Sequence, residues 1–280
     1  MSKKSVITVT FGDSGENHVG NQQIGERVQE GDGFTLEDFE NAKKYINDNF
    51  PEAVVNIYDM KELLIDCVGD KNTIETITEG MLEYLPDTVL IEIENLVESE
   101  LADAIEQELS VLNWDRKYWD ARRKKVLNKR ARKNLCFDKK NQEPDYENGK
   151  GRIVSFDNLP NLTRAKELIA KVFGKKGDNL IGEGNGYDDR TKNGIGYHGD
   201  AERLKVIALR LNEADESGDR GTMPICFQWY HRSKRIGNKF KLQVKHGTIY
   251  GMSEYATGFN WKRSSLYTIR HAAGGEKYIK

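Results

Sequence analysis

Apolar and polar positions along the chain follow two different rhythms. In the first part, short alternating runs are separated by stretches with helical spacing. SVITVTF at 5–11 alternates as a half-buried strand does. TLEDFENAKKYINDNF at 35–50 opens on a threonine suited to an N-cap, carries acids in its first turn and repeats its apolar residues at three- and four-residue intervals. That spacing predicts a helix. AVVNIYD (53–59) and TVLIEIENL (88–96) read as strands, and SELADAIEQELSVL (99–112) as an acidic helix. LTRAKELIAKVF (162–173) is a further helix. From residue 179 the rhythm shortens to NLIGEGNGY, GIGYHGD, LKVIALRL, MPICFQWYH, KFKLQVKHG, TIYGMSEY, SLYTIRHAA and EKYIK. Eight short strands divided by turn residues predict a sandwich or barrel. The expected class is α+β, with a small α/β domain over 1–112 and a β-rich domain over 113–280.

Charge sharpens this division. Net charge is −2, yet residues 1–114 hold 7 Lys+Arg against 25 Asp+Glu, and residues 115–280 hold 36 against 20. The halves therefore differ in sign, −18 and +16, which suits two parts that dock on each other or a basic part that meets a polyanion. Ten of residues 116–133 are Lys or Arg, opposed only by Asp120 and interleaved with Tyr118 and Trp119. Helical propensity over this run predicts a helix. Its cations Arg122, Arg123, Lys124, Lys125, Lys129, Arg130 and Arg132 form a candidate surface for nucleic-acid phosphates.

Three separated cysteines, Cys67, Cys136 and Cys226, form neither a disulfide framework nor a CxxC zinc site. No apolar run approaches membrane-spanning length, and the N-terminus has no signal-peptide core. A soluble intracellular protein, cytoplasmic or nuclear, is expected, with no membrane partner; oligomeric state leaves no mark in the sequence. The glycines of GDSGENHVGNQQIG do not match a phosphate-loop spacing, and His18 among them reads as a surface histidine.

Candidate chemistry centres on GIGYHGDAER. His198 and Asp200 stand one residue apart at a strand end, so their side chains share one side of an extended chain. One more histidine from a distant strand would complete a 2-His-1-carboxylate set, which leaves one face of Fe(II) open; zinc hydrolases can use the same ligands. His231, His246 and His271 are the candidates for that third position. His271 is followed by two alanines and two glycines, which leave room for an organic acid, and by Lys277 and Lys280, either of which could pair with a distal carboxylate.

Residues from about 125 to 280 resemble the Fe(II)/2-oxoglutarate-dependent dioxygenases, most closely the AlkB branch. The resemblance rests on Asn185-Gly-Tyr187, then His198-Gly-Asp200, Glu202-Arg203 and VIALRL, then CFQWYHRSKRIG and HGTIYGMSE. NKRARKNLCF resembles the segment that caps the flipped nucleotide in that branch. The C-terminal end departs from it. Where that branch has its second iron histidine, this chain has TGFNWKRSS, and Thr-Ile-Arg270 resembles its arginine motif. YTIRHAA instead resembles the prolyl 4-hydroxylases, where the histidine is the distal iron ligand and a later lysine binds the co-substrate. The resemblance implies a double-stranded β-helix (jelly-roll, cupin-like), iron held by His198, Asp200 and His271, and 2-oxoglutarate and O₂ as co-substrates. It implies co-substrate contacts from Asn185, Tyr187 and one of Lys277, Lys280 or Arg270. The implied reaction is hydroxylation or oxidative demethylation of a nucleic-acid base. The alternatives are a prolyl or lysyl hydroxylase of the same superfamily, or a nucleic-acid-binding protein with an inactive metal site.

Overall fold

The computed structural model describes residues 5–18, 20–68 and 77–280; the side chains of Asp66 and Cys67 lie outside the description. In chain order the strands are β1 (Val6–Gly12), β2 (Ser14–Glu16), β3 (Gln23–Gly25), β4 (Val54–Asp59), β5 (Val89–Glu94), β6 (Lys117–Asp120), β7 (Lys125–Asn128), β8 (Lys133–Asp138) and β9 (Ile153–Ser155). They continue with β10 (Ile181–Tyr187), β11 (Gly194–His198), β12 (Val206–Asn212), β13 (Met223–His231), β14 (Lys234–Val244), β15 (Ile249–Met252) and β16 (Thr268–Gly274). The α-helices are α1 (Leu36–Asn49), α2 (Glu79–Glu83), α3 (Ser99–Ser110), α4 (Pro160–Phe173) and α5 (Glu276–Ile279).

The architecture is α+β, as expected, and mostly sheet. Eight strands form one mixed sheet in the order β4-β5-β15-β12-β1-β10-β8-β9, and four form a second in the order β11-β16-β13-β14. The expected boundary near residue 112 does not divide the large sheet. β1 pairs with both β10 and β12, and β5 pairs with β15, so strands from the acidic N-terminal part and the basic C-terminal part share one hydrogen-bonded ladder.

Alternation along the central strands sets up two faces. Ile7, Val9, Phe11, Ile207, Leu209 and Leu211 point to one side, where they join the buried faces of α1, α3 and α4 in the main core. On the other face Val206, Ala208, Tyr250 and Met252 pack against Ile225, Phe227, Trp229 and Ile269 of the small sheet. Each fully buried side chain of this size contributes roughly 1.5–3 kcal/mol. α1 starts where the sequence places it: Thr35 and Asp38 form a reciprocal capping box, and Phe39, Ala42 and Ile46 are its buried stripe.

β10 shows how the sequence aims chemistry into the space between the sheets. In IGEGNGY, glycine takes the positions facing the helices, and a Cβ on Gly184 would press into the rings of Trp114 and Phe137. The alternate positions, Glu183, Asn185 and Tyr187, face the small sheet and line the cavity between the sheets.

Two elements differ from the sequence reading. The basic run folds as the β6–β7 hairpin rather than a helix, with Tyr118 opposite Leu127 and Trp119 opposite Val126. A helix would stack like charges such as Lys125 and Lys129 four residues apart. The hairpin instead carries Arg122, Arg123, Lys124 and Lys125 out at its turn or beside it, where Asp120 accepts the Arg123 backbone N–H at 2.8 Å. EKYIK, expected as the eighth strand, is the short helix α5. The strand lying between β10 and β12 is β1, from the opposite end of the chain.

Candidate metal centre

His198 and His271 are partners across the β11–β16 pairing, so two imidazoles arrive side by side from adjacent strands. Asp200 follows His198 after a single glycine. Its backbone N–H donates to Thr257 O at 2.9 Å. A side chain on Gly199 would collide with the Gly258 carbonyl, so the close approach that fixes Asp200 requires glycine there.

The rings are aimed by their hydrogen bonds. His198 Nδ1 lies 2.8 Å from Gly196 O, which turns Nε2 toward Asp200. Nε2 of His198 and Nε2 of His271 each stand 3.5 Å from the same oxygen, Asp200 Oδ1. One ligand atom from each of the three residues lies within 4.8 Å of the others. Ligands about 2.1 Å from a divalent ion stand about 3 Å apart when adjacent, and the two histidine–carboxylate separations of 3.5 Å are near that spacing.

Electrostatics favour the ligand forms of His198 and Asp200. Burial pushes His198 down to about 3, and the neighbouring His271 adds to the effect, so its imidazole is neutral. For Asp200, burial opposes ionisation, but His271, Arg203 and His198 outweigh it and hold the carboxyl below the usual carboxylate range. Arg203 is itself buried. It forms ion pairs with Glu183, with Glu202 at 2.9 Å and with Asp200 at 3.7 Å.

The site occupies a cavity of about 170 Å³ between the sheets, whose lining includes Thr8, Asn185, Tyr187 and Trp261. Registers place Asn134, Asn185, Thr8 and Arg210 in one row across β8, β10, β1 and β12. Asn134 donates to Asn185 Oδ1 at 2.6 Å. Arg210 is completely buried, and among the described residues none of its three side-chain nitrogens meets an acceptor in full hydrogen-bond geometry, the Tyr250 hydroxyl being a near, uncharged neighbour; Thr8 Oγ1 is also unpartnered among them. The Arg210 charge partly offsets the rise that burial imposes on the Tyr187 and Tyr250 hydroxyls. A buried cation with no counter-charge costs several kcal/mol.

The remaining sequence candidates separate clearly. Asn185 and Tyr187 line the cavity. Lys277 and Lys280 do not: after His271 the chain turns into α5, and both lysines are exposed, with Lys277 Nζ 4.8 Å from the Tyr278 ring centroid. Arg270 lies on the opposite side of β16 from His271. It stacks on Tyr230 at 4.0 Å and donates to Trp261 O at 3.4 Å. His231 stacks on Tyr267 and His246 pairs with Asp103, both away from the cluster. Arg122, Lys124 and Lys125 are exposed on the hairpin, while Arg123, Lys129, Arg130 and Arg132 line a second cavity of about 580 Å³. His18 lines that cavity too. It is half-buried rather than a surface residue, and burial with the nearby Lys129 and Arg132 pushes it down to about 4. Cys136 and Cys226 are buried free thiols, and among the described residues no helix is long and apolar enough to cross a membrane.

Thr8, which lines the cavity, and its cross-strand partner Arg210 are residues that the sequence reading did not single out. The signal for Arg210 was present: VIALRLN puts a single cation inside a strand that is apolar on both faces. Thr8 gives no such signal, because nothing local announces that β1 joins β10 and β12.

No protein-family model matches the sequence. Over 277 residues, covering 99% of this chain and 98% of the relative, the sequence is 35% identical to a protein of Acanthamoeba polyphaga mimivirus described as uncharacterized protein R156.

Proposed function

The chain belongs to the same family as the mimivirus protein R156, and from its geometry we propose that it is an Fe(II)- and 2-oxoglutarate-dependent dioxygenase. The carrying observation is the convergence of His198, His271 and Asp200 in the cavity that also neighbours an unpartnered buried arginine, Arg210. The strand arrangement supports the reading. β10, β12 and β15 belong to the large sheet, and β11, β13, β14 and β16 to the small one. That alternation suits a double-stranded β-helix whose eighth position is filled by β1.

In this reading His198, as a neutral imidazole, and His271 would hold the metal, and Asp200 would supply the anionic ligand. Bound Fe(II), with 2-oxoglutarate and O₂, supplies the oxidising power that inserts oxygen into a C–H bond. Arg210 and Thr8 anchor the distal carboxylate of the co-substrate, the role expected from the sequence for Lys277, Lys280 or Arg270. Asn185 and Tyr187 orient the acid from β10. Arg203 keeps Asp200 ionised and fixed, and the enclosing sheets limit water around the reacting atoms.

The test is succinate formation from 2-oxoglutarate by the full chain under air, with and without added Fe(II). Iron-dependent succinate above the protein-free control is expected, and Asp200→Ala abolishes it. Absence of iron-dependent succinate, with iron binding intact, would overturn the proposal.

A further inference from the structure

The β4 edge of the large sheet carries an acidic groove. β4 is the outermost strand, and among the described residues no strand lies beyond it. Val54, at its start, is exposed. Beside it a groove of about 450 Å³ lies between the α1–β4 turn and the start of α3. Phe50, Pro51 and Val97 give it an apolar lining, Glu52, Glu98 and Glu100 give it three exposed carboxylates, and no cation lines it. Glu94, across from Val54, is instead paired with Lys245 at 2.9 Å. An open sheet edge flanked by unneutralised charge is a surface ready for a second chain.

The complementary surface is on the same protein, out of reach of its own groove. β6 and β7 form a sheet of two strands only, with Arg122, Arg123, Lys124 and Lys125 exposed at the tip or beside it. Asp120, 4.0 Å from Arg123, offsets one of the four charges and leaves three. The hairpin joins the large sheet on the side away from β4: the Asp115 N–H, just before β6, donates to Asn134 O of β8 at 2.9 Å. Six strand spacings separate β8 from β4 in the sheet order, roughly 29 Å at about 4.8 Å each.

We propose that copies of this chain associate head to tail, with the β6–β7 hairpin tip of one copy seated in the β4 groove of the next. Arg122, Lys124 and Lys125 pair with Glu52, Glu98 and Glu100. The aliphatic stems of the basic side chains cover Phe50 and Pro51, and a hairpin strand lies along the open edge of β4. Pairing β4 with β4 of a second copy would set two acidic grooves against each other, so a symmetric dimer is disfavoured there. A head-to-tail contact uses two different surfaces, so it extends beyond a dimer until it closes on itself. The net charges of −18 over residues 1–114 and +16 over 115–280 then meet between copies. The association does not rest on the dioxygenase reading.

The test is sedimentation velocity on the full chain across a concentration series, at about 0.01 M and about 1 M salt. Species larger than a monomer are expected to grow with concentration at the low salt and to be lost at the high salt. A groove variant, Glu52→Lys with Glu98→Lys, and a tip variant, Arg122→Glu with Lys124→Glu, are each expected to be monomeric at low salt, with circular dichroism matching the wild type. Mixed, they form a complex of one copy of each and nothing larger, because the groove variant keeps a working tip and the tip variant a working groove. Val54→Lys, which puts a charge on the open edge, reduces the association of the otherwise wild-type chain. A wild-type monomer at both salts, association that survives high salt or either double substitution, or two folded variants that fail to complement on mixing would overturn the proposal.

Discussion

Arg210 is the residue on which the chemistry and the stability of the protein pull in opposite directions. A guanidinium buried without a counter-charge destabilises the ligand-free fold, and an apolar replacement of similar length relieves that cost. Arg210→Met is therefore expected to raise the melting temperature of the ligand-free protein. The same variant should weaken 2-oxoglutarate binding about 10- to 100-fold, the worth of a charged hydrogen bond or two. A purely structural arginine would show the reverse, a lower melting temperature and unchanged affinity. Gly199 gives a second expectation at this scale. Gly199→Ala drives a Cβ into the Gly258 carbonyl, which costs about 1–3 kcal/mol and displaces Asp200, so iron binding is lost with the fold retained. His198 and Asp200 were legible as a pair because their spacing is local. Arg210 was visible as a lone cation in an apolar strand, but its place beside the cavity was not, because that depends on which strand lies beside which, and the sequence after His271 offered lysines that the turn into α5 carries outward.

The β6–β7 hairpin is where helix propensity misleads. Its cations favour a helix residue by residue, but cross-strand contacts of Tyr118 with Leu127 and Trp119 with Val126 decide the outcome. Lys124 takes the left-handed φ of 49° at the turn. Lys124→Gly should stabilise the protein by roughly 0.5–1 kcal/mol, read as a higher melting temperature. Lys129, the residue after β7, makes stability depend on pH. Its ammonium donates to Asn17 O at 2.9 Å, yet burial lowers its pKa to about 8 from the ordinary 10.5. Between those two values the unfolded chain holds more protons than the folded one, so stability rises with pH across that window. Lys129→Met should remove that component of the rise in denaturant titrations run at pH 8 and pH 10; an identical rise in the variant would place it elsewhere.

At the scale of the whole molecule, the charge asymmetry is real in the sequence but does not mark a boundary between independent sheets. β1, β4 and β5 come from the acidic part, and the large sheet needs all three, with β1 central. A chain beginning at residue 113 is therefore expected to be unfolded by circular dichroism, where a free-standing catalytic domain would be folded. The three long helices α1, α3 and α4 and most strands were legible because their periodicity is a local property. The joining of β1 to β10 and β12 was not, because a long-range pairing leaves no periodic trace. That pairing puts Thr8 beside Arg210 and closes the space between the sheets.

The metal set is the centre of the account, and the histidines of the basic half offer its most direct test. Fe(II) binding to wild-type, His271→Ala, His246→Ala and His231→Ala is measured by anaerobic titration calorimetry on the full chain. The account predicts that His271→Ala alone loses the site, because only His271 shares Asp200 Oδ1 with His198. Fe(II) binding to His271→Ala with wild-type affinity, or its loss in His246→Ala, would contradict it.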